Sequence, residues 1–249
     1  MAGEITAPQR ARLSGRVWLV LLCAVIVIVF LAVVTPGVFD VRHKSRSLEI
    51  KKPVERLVLD SKGMVKVDIK PSRDGHVHLL RKSEVSRDSR LVERVKVSGK
   101  TLTIHSACTG SRLGVLRRCD LSYHLRLPRK IALALRVHFG DVTVTGTRGR
   151  LDFRSDAGSF HGSVCSKRAN IHLGFGELKL RDTCVPELIH ARVRGGHIGL
   201  TVPAGHYDVH AKSDARRPFE NIIEDPASPD KIDAAITWGG SIDITGVNR

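Results

Sequence analysis

The sequence predicts an all-β chain, a β-solenoid of coils about 18 residues long preceded by one N-terminal membrane helix. Three observations predict it. A short phrase recurs as Gly140-Asp-Val-Thr-Val, Gly158-Ser-Phe-His-Gly, Gly176-Glu-Leu-Lys-Leu, Gly196-His-Ile-Gly-Leu and Gly240-Ser-Ile-Asp-Ile, with glycine-to-glycine steps of 18, 18, 20 and 44 residues. Such a period marks units too small to bury their own apolar face, which must stack on their neighbours. Within each phrase the apolar residues alternate with polar ones, as in a strand. The third observation is a single uninterrupted apolar run near the N-terminus, Val17 to Val34.

Taken from the glycine, the second position is Val142, Phe160, Leu178, Ile198 or Ile242, and the fourth is Val144, Gly162, Leu180, Leu200 or Ile244. These two columns are expected to face inward. The glycine forms a corner that other residues tolerate poorly. Before it runs a second alternating stretch, Leu135, Val137, Phe139 in one copy and Ile171, Leu173, Phe175 in another, so each unit holds two short strands joined by a bend. The step of 44 is read as two periods with one degraded copy between them.

The cysteines offer an independent check. Cys165 and Cys184 lie seven and eight residues after their glycines, at nearly the same place on adjacent coils. Strands about 4.8 Å apart place such a pair within the roughly 4.4 to 6.8 Å that a disulfide spans. Cys108 and Cys119 would close the glycine-bearing loop between two strand candidates. Four cysteines outside the apolar run, in an even set with plausible pairing, point to an oxidising compartment.

In chain order, residues 1–16 form a short basic tail with Arg10, Arg12 and Arg16. Residues 17–39 form the membrane segment. Val17 to Val34 alone covers about 27 Å as a helix, and fourteen of its residues are Val, Leu, Ile or Phe, favouring insertion by roughly 4 to 8 kcal/mol. No small-x-small cleavage site follows before Pro36, which argues against a removable signal peptide. Basic residues after the span outnumber those before it, but a long folded domain translocates largely regardless of charge. The cysteines place residues 40–249 outside the cytoplasm, on a single-pass protein of the plasma membrane.

Residues 40–130 show no recognisable repeat, yet still alternate at Leu57–Asp60, Met64–Ile69, His76–Leu80 and Val95–Ile104; they are read as cap strands. Residues 131–249 hold the regular coils, with Ser213 to Pro229 an inserted loop or irregular turn. The last coil should expose an edge that short polar segments or a partner must cover.

The Gly-Asp-Val-Thr-Val-like phrases, the Leu-Arg-Leu-Pro before the first coil, Val-Pro-Ala-Gly-His-Tyr, Asp225-Pro-Ala-Ser-Pro followed by Ile232, and the terminal Gly-Gly-Ser-Ile-Asp-Ile together resemble the putative-adhesin family of bacterial β-strand-repeat domains. The resemblance covers roughly residues 50–246. It implies a membrane-anchored extracytoplasmic β-solenoid and brings no catalytic residues. The chain departs from the family in carrying far more Arg and His than the usual Gly-Ser-Asp-rich coils.

No phosphate loop, dinucleotide fingerprint, nucleophile elbow, paired Cys-x-x-Cys or His-Glu-x-x-His helix is present, and no cofactor or metal site is assigned. His76 with His78, and His206 with His210, lack a carboxylate or cysteine at ligand spacing and read as surface residues. Asp141, Asp152, Asp156 and Arg154 resemble the acidic and basic clusters of glycan-cleaving β-helices, but short coils leave little wall for a cleft.

Charge is the stronger signal, with 41 Lys and Arg against 25 Asp and Glu, a net +16. Ten basic residues against three Asp fall between 112 and 154. Ladders of guanidinium groups repel one another unless anions lie across them, so Arg117, Arg118, Arg148, Arg150 and Arg154 are the candidate anion-binding residues. Aromatics for base stacking are scarce, at 4%, which disfavours nucleic acid. The expected function is non-enzymatic, adhesin-like binding or scaffolding of anionic envelope polymer or lipid headgroups. The alternative is an accessory regulator of an envelope-stress system that acts through a membrane protein partner.

Overall fold

The structure is a computed structural model that describes residues 19, 21–29, 41–86, 89–110, 119–216 and 219–248. It divides into a unit before Val41 and a unit from Val41 onward. In the first, the described residues are helical, and their apolar side chains, Leu21 and Ile28 among them, are exposed. Among the described residues no helix is long and apolar enough to cross a membrane.

The second unit is built on one sheet of fifteen strands. Its centre is β7 (Ala132–Arg148), β8 (Leu151–Cys165), β9 (Arg168–Asp182) and β10 (Leu188–Pro203). Each is a long strand bent at a glycine into two arms. They pair parallel and in register on both arms, as in Leu133↔Leu151↔Ala169↔Ile189 before the bend and Val142↔Phe160↔Leu178↔Ile198 after it. Only residues 149 and 150 separate β7 from β8, so the chain returns at once to the beginning of the next rung. Lys130 accordingly bridges Arg148, and the Ile131 amide donates to the Arg148 carbonyl at 3.0 Å. The two arms of one strand face each other: Phe153 on the first arm of β8 and Phe160 on the second have ring centroids 4.6 Å apart.

The corner glycines meet two demands together. Gly140, Gly158, Gly176, Gly196 and Gly240 have φ between +131° and +146°, a region that side-chain-bearing residues rarely adopt. A Cβ on each would also overlap the backbone carbonyl of the rung below, Val65 beneath Gly140 and the preceding glycine beneath each of the others. Both columns after the corner are buried as the alternation requires, from Val142 to Ile242 and from Val144 to Ile244. The alternation does not carry through the corner. Phe139 and Phe175, which continue the pattern of Leu135–Val137 and Ile171–Leu173, are 52% and 44% exposed, because the bend slips the parity and turns them outward.

At the N-terminal end the stack continues into the region without visible repeats. The strand β2 (Arg56–Pro71) pairs with β7 along both arms, Leu57↔Leu133 and Val67↔Val142, with a bulge between Ser61 and Met64. On its other side lie β5 (Thr101–Gly110) against the first arm and β6 (Cys119–Leu127) against the second. These two make one rung from two separate strands, which the structure joins by a disulfide between Cys108 and Cys119. Antiparallel strands finish this end: β4 (Ser89–Ser98) turns back on β5, β3 (Val77–Ser86) pairs with β6, and β1 (Val41–Ile50) pairs with β3. Glu93 of β4 closes the core there. It accepts from Tyr123 at 2.9 Å and from Arg81 at 2.6 Å, and burial leads the causes that raise the Tyr123 hydroxyl pKa.

At the C-terminal end the degraded copy within the 44-residue step is present in the chain but stacks in a different order in space. Gly196 pairs directly with Gly240, so no degraded copy lies between them in space. The strands β14 (Lys231–Ile236) and β15 (Gly240–Val247) slot against β10. The earlier segments β11 (Gly205–Lys212) and β12 (Ala215–Arg216) stack outside them. A three-residue strand, β13 (Ile222–Glu224), then pairs with β11. The segment Ser213 to Pro229 thus carries two short strands that cover the end. Cys165 and Cys184 are bridged, with Cα atoms 4.9 Å apart.

Candidate functional site

A groove of about 1000 Å³ runs along the outside of the first arms, just before the corner. Its floor comes from the outward positions that the strand period leaves between the core residues. In register across four rungs these are Arg136, Arg154, His172 and Arg192. Neighbouring strands lie about 4.8 Å apart, and like charges set opposite one another on a sheet destabilise it.

Asp60 of β2 stands in register beside Arg136 at one end of the column, but among the described residues a salt bridge forms only at the other. Arg192 is held by Asp233 through two bonds of 2.7 and 2.6 Å, and that guanidinium is the main reason the Asp233 carboxyl lies below its ordinary range. The His172 pKa is lowered by burial and then by Arg154, His190 and Arg192, so its surroundings favour the neutral imidazole. Arg136 and Arg154 make no ion pair or hydrogen bond among the described residues.

One wall of the groove is aromatic. Phe139, Phe175 and Trp238 line it, with Trp238 64% exposed. The chain has only seven Phe, two Trp and two Tyr, so three aromatics in solvent on one wall mark a surface of different purpose from the core. Phe175 and Trp238 form one tilted pair with centroids 6.1 Å apart. The Arg194 guanidinium sits 5.6 Å over the Phe175 ring, an arrangement in which the ring's negative face attracts the cation. On the adjoining rungs His138 and Asp156 bond at 2.6 Å.

Of the residues expected to bind anions, Arg154 lies in this groove. Arg148 ends β7 and Arg150 lies in the connection to β8, where it pairs with Asp152 at 2.9 Å. Arg117 and Arg118 lie outside the described residues. The acidic cluster considered for glycan cleavage is divided: Asp152 is engaged by Arg150, Asp156 by His138, and Asp141, on the second arm, accepts from Ser159 at 2.6 Å. The histidines read as lacking carboxylates do have single acidic neighbours, His78 with Asp74 at 2.7 Å and His210 with Asp208 at 3.1 Å. Among the described residues no group of three or more His, Cys, Asp or Glu could hold a metal ion.

Arg136 is one of the ten basic residues counted between 112 and 154 but was not singled out, and the sequence reading did not point to Arg192, Arg194 or the aromatic wall. One signal was present, since Phe139 and Phe175 each immediately precede a corner glycine and Trp238 precedes the Gly239-Gly240 pair.

No protein-family model matches the chain, and no curated protein matches it. Among solved structures it is similar to a putative cell adhesion protein from Clostridium sporogenes, at 15% identity and a TM-score of 0.48, over 83% of this chain and 100% of that one. It is also similar to a putative adhesin from Bacteroides fragilis, at 15% identity and a TM-score of 0.41, over 81% and 97% of the two chains. A putative adhesin from Parabacteroides distasonis gives 11% identity and a TM-score of 0.39, over 82% and 97%.

Proposed function

We propose that this chain is a membrane-anchored, extracytoplasmic β-solenoid that binds anionic components of the cell envelope, adhesin-like and without catalysis. The observation that carries the binding role is the Arg136–Arg154 pair, two guanidinium groups on adjacent rungs that make no ion pair among the described residues, at the floor of an open groove. The nearby carboxylates Asp60 and Asp156 are engaged by His105 and His138 instead, so an anion lying across the two guanidinium groups would find paired, charge-assisted hydrogen bonds unused.

Two further features support the setting. The apolar run Val17 to Val34 is long enough to anchor the chain, and the part of it that the structure describes is helical with its side chains outward. Two disulfides favour an oxidising compartment.

The test is binding of the full chain, in neutral detergent, to purified anionic envelope polymers across a salt series. Saturable binding that weakens by about tenfold or more in R136Q/R154Q is expected, from the loss of two charge-assisted contacts. Binding by the double variant equal to that of the unaltered chain would overturn the reading.

A further inference from the structure

The aromatic wall narrows the class of anion. Phe139 pairs with Ala157, Ala157 with Phe175, and Phe175 with Gly195. Along the stack the wall therefore alternates large and small residues. At Gly195 the small residue is obligatory, because a Cβ there would come within 3.2 Å of the Phe175 ring and 2.9 Å of the Trp238 carbonyl oxygen. The Phe175 ring leans over Gly195 toward Trp238 and builds a wider platform with it. The result is two exposed aromatic platforms, Phe139 and Phe175 with Trp238, whose rungs are separated by two strand spacings, about 9.6 Å. That distance is close to the length of one disaccharide in an extended β-linked glycan. The C–H-rich face of a pyranose packs well on the negative face of an aromatic ring.

The polar floor fits the same ligand better than a uniform polyanion. Arg136 and Arg154 offer two cations without ion pairs on neighbouring rungs, followed by His172 and by Arg192, already engaged by Asp233. The groove also contains carboxylates, Asp60 and Asp156. Set among the cations Lys62, Arg136, Arg154, Arg192 and Arg194 of the same groove, these carboxylates suit a ligand whose anionic groups are spaced by hydroxyls that donate hydrogen bonds to them.

We infer that the ligand is a linear carboxylated glycan lying along the stack, across the strands, with pyranose faces on Phe139 and on Phe175–Trp238 and its carboxylates on Arg136 and Arg154. This rests on the anionic-envelope reading above.

The experiment measures affinities of the full chain in neutral detergent for three probes at one ionic strength: a hyaluronan oligosaccharide, an uncharged chitin oligosaccharide, and polyphosphate. The expected order places hyaluronan first. F175A and W238A are each expected to weaken hyaluronan binding about three- to tenfold while leaving any polyphosphate binding unchanged, and R136Q/R154Q to weaken both polyanions. All four positions are exposed or groove-lining, and circular dichroism checks that the variants fold. Polyphosphate binding as tight as hyaluronan, or binding unaffected by the aromatic substitutions, would overturn the glycan assignment and leave the anionic-polymer reading intact. Equal affinity for the uncharged oligosaccharide would overturn the role given to the arginines. Binding to none of the three would remove both readings.

Discussion

The carbonyl of Gly140 occupies the place where a Cβ on Gly158 would stand. The two glycines pair directly across β7 and β8, and the same contact repeats upward through Gly176, Gly196 and Gly240. The corner is thus a continuous column of backbone in contact with backbone. G158A must both hold an alanine at a φ of +131° and push two rungs apart. Since the obstacle is main chain, no rotamer change relieves it. A loss of about 3 to 5 kcal/mol is expected, read as a lower urea midpoint. Alanine at Gly99, where φ is +55° and a Cβ meets nothing within 4 Å, should cost about 1 kcal/mol.

Asp182 gives the fold a pH dependence opposite to that of a salt-bridged carboxylate. Its side chain is fully buried, and accepts from the Ser166 and Cys184 amides at 3.1 to 3.2 Å, with no cationic partner among the described residues. Burial outweighs these bonds and raises its pKa from 3.8 to about 6. The folded state therefore holds a proton that the unfolded chain releases between about pH 4 and 6. Stability contributed by this group is full below pH 4, falls as the pH rises, and is lost above pH 6. The span corresponds to about 3 kcal/mol. Urea denaturation at pH 4 and pH 7.5 should show D182N losing that difference relative to the unaltered chain; parallel curves for the two proteins would refute the assignment.

What the sequence revealed follows from which positions stacking constrains. The column Gly140 to Gly240 was legible because each rung imposes the same backbone overlap on the next. The rung of β2 was not, because Val65 occupies its place in the glycine column and the bend is made instead by the bulge between Ser61 and Met64. The rung of β5 and β6 was hidden because its two arms are separate strands, with no glycine phrase running from one into the other. Chain order also misled: spacing counts residues between Gly196 and Gly240, whereas the sheet puts β14 between β10 and β11 and β15 between β10 and β12. The groove was lost for a third reason. A period-two pattern carried through the bend buries Phe139 and Phe175, and the aromatic wall exists only because the bend breaks the period.

Asp233 limits the positive charge of the groove. Its two oxygens engage Arg192 and one also lies 3.1 Å from His190. D233N should release Arg192 into the groove and strengthen binding of an anionic polymer by about threefold to tenfold at low salt, an effect that fades as added salt screens the site. Affinity measured at two ionic strengths tests this; unchanged or weaker binding at low salt would mean that Arg192 does not contribute to the surface the ligand meets.

Phe160 and Gly162 are one adjustment made at two positions. In the inward columns every other copy of the repeat carries Val, Leu or Ile at both places, but β8 carries a large ring at the first and no side chain at the second. A Cβ on Gly162 would stand 2.8 Å from Phe160 Cε1 and 2.8 Å from Leu180 Cδ1, so the ring fills the space that the missing side chain leaves. The ring also packs on Phe153 from the facing arm. G162A alone overpacks the rung and should cost about 1 to 3 kcal/mol. F160V alone leaves a cavity beside Gly162 and should cost roughly 2 to 4 kcal/mol. Together they restore the pattern of the neighbouring rungs, so the double variant should lose at least about 1 kcal/mol less than the sum of the two single losses. Chemical denaturation of the four proteins gives this coupling directly, and simple additivity would show that the two positions are filled independently.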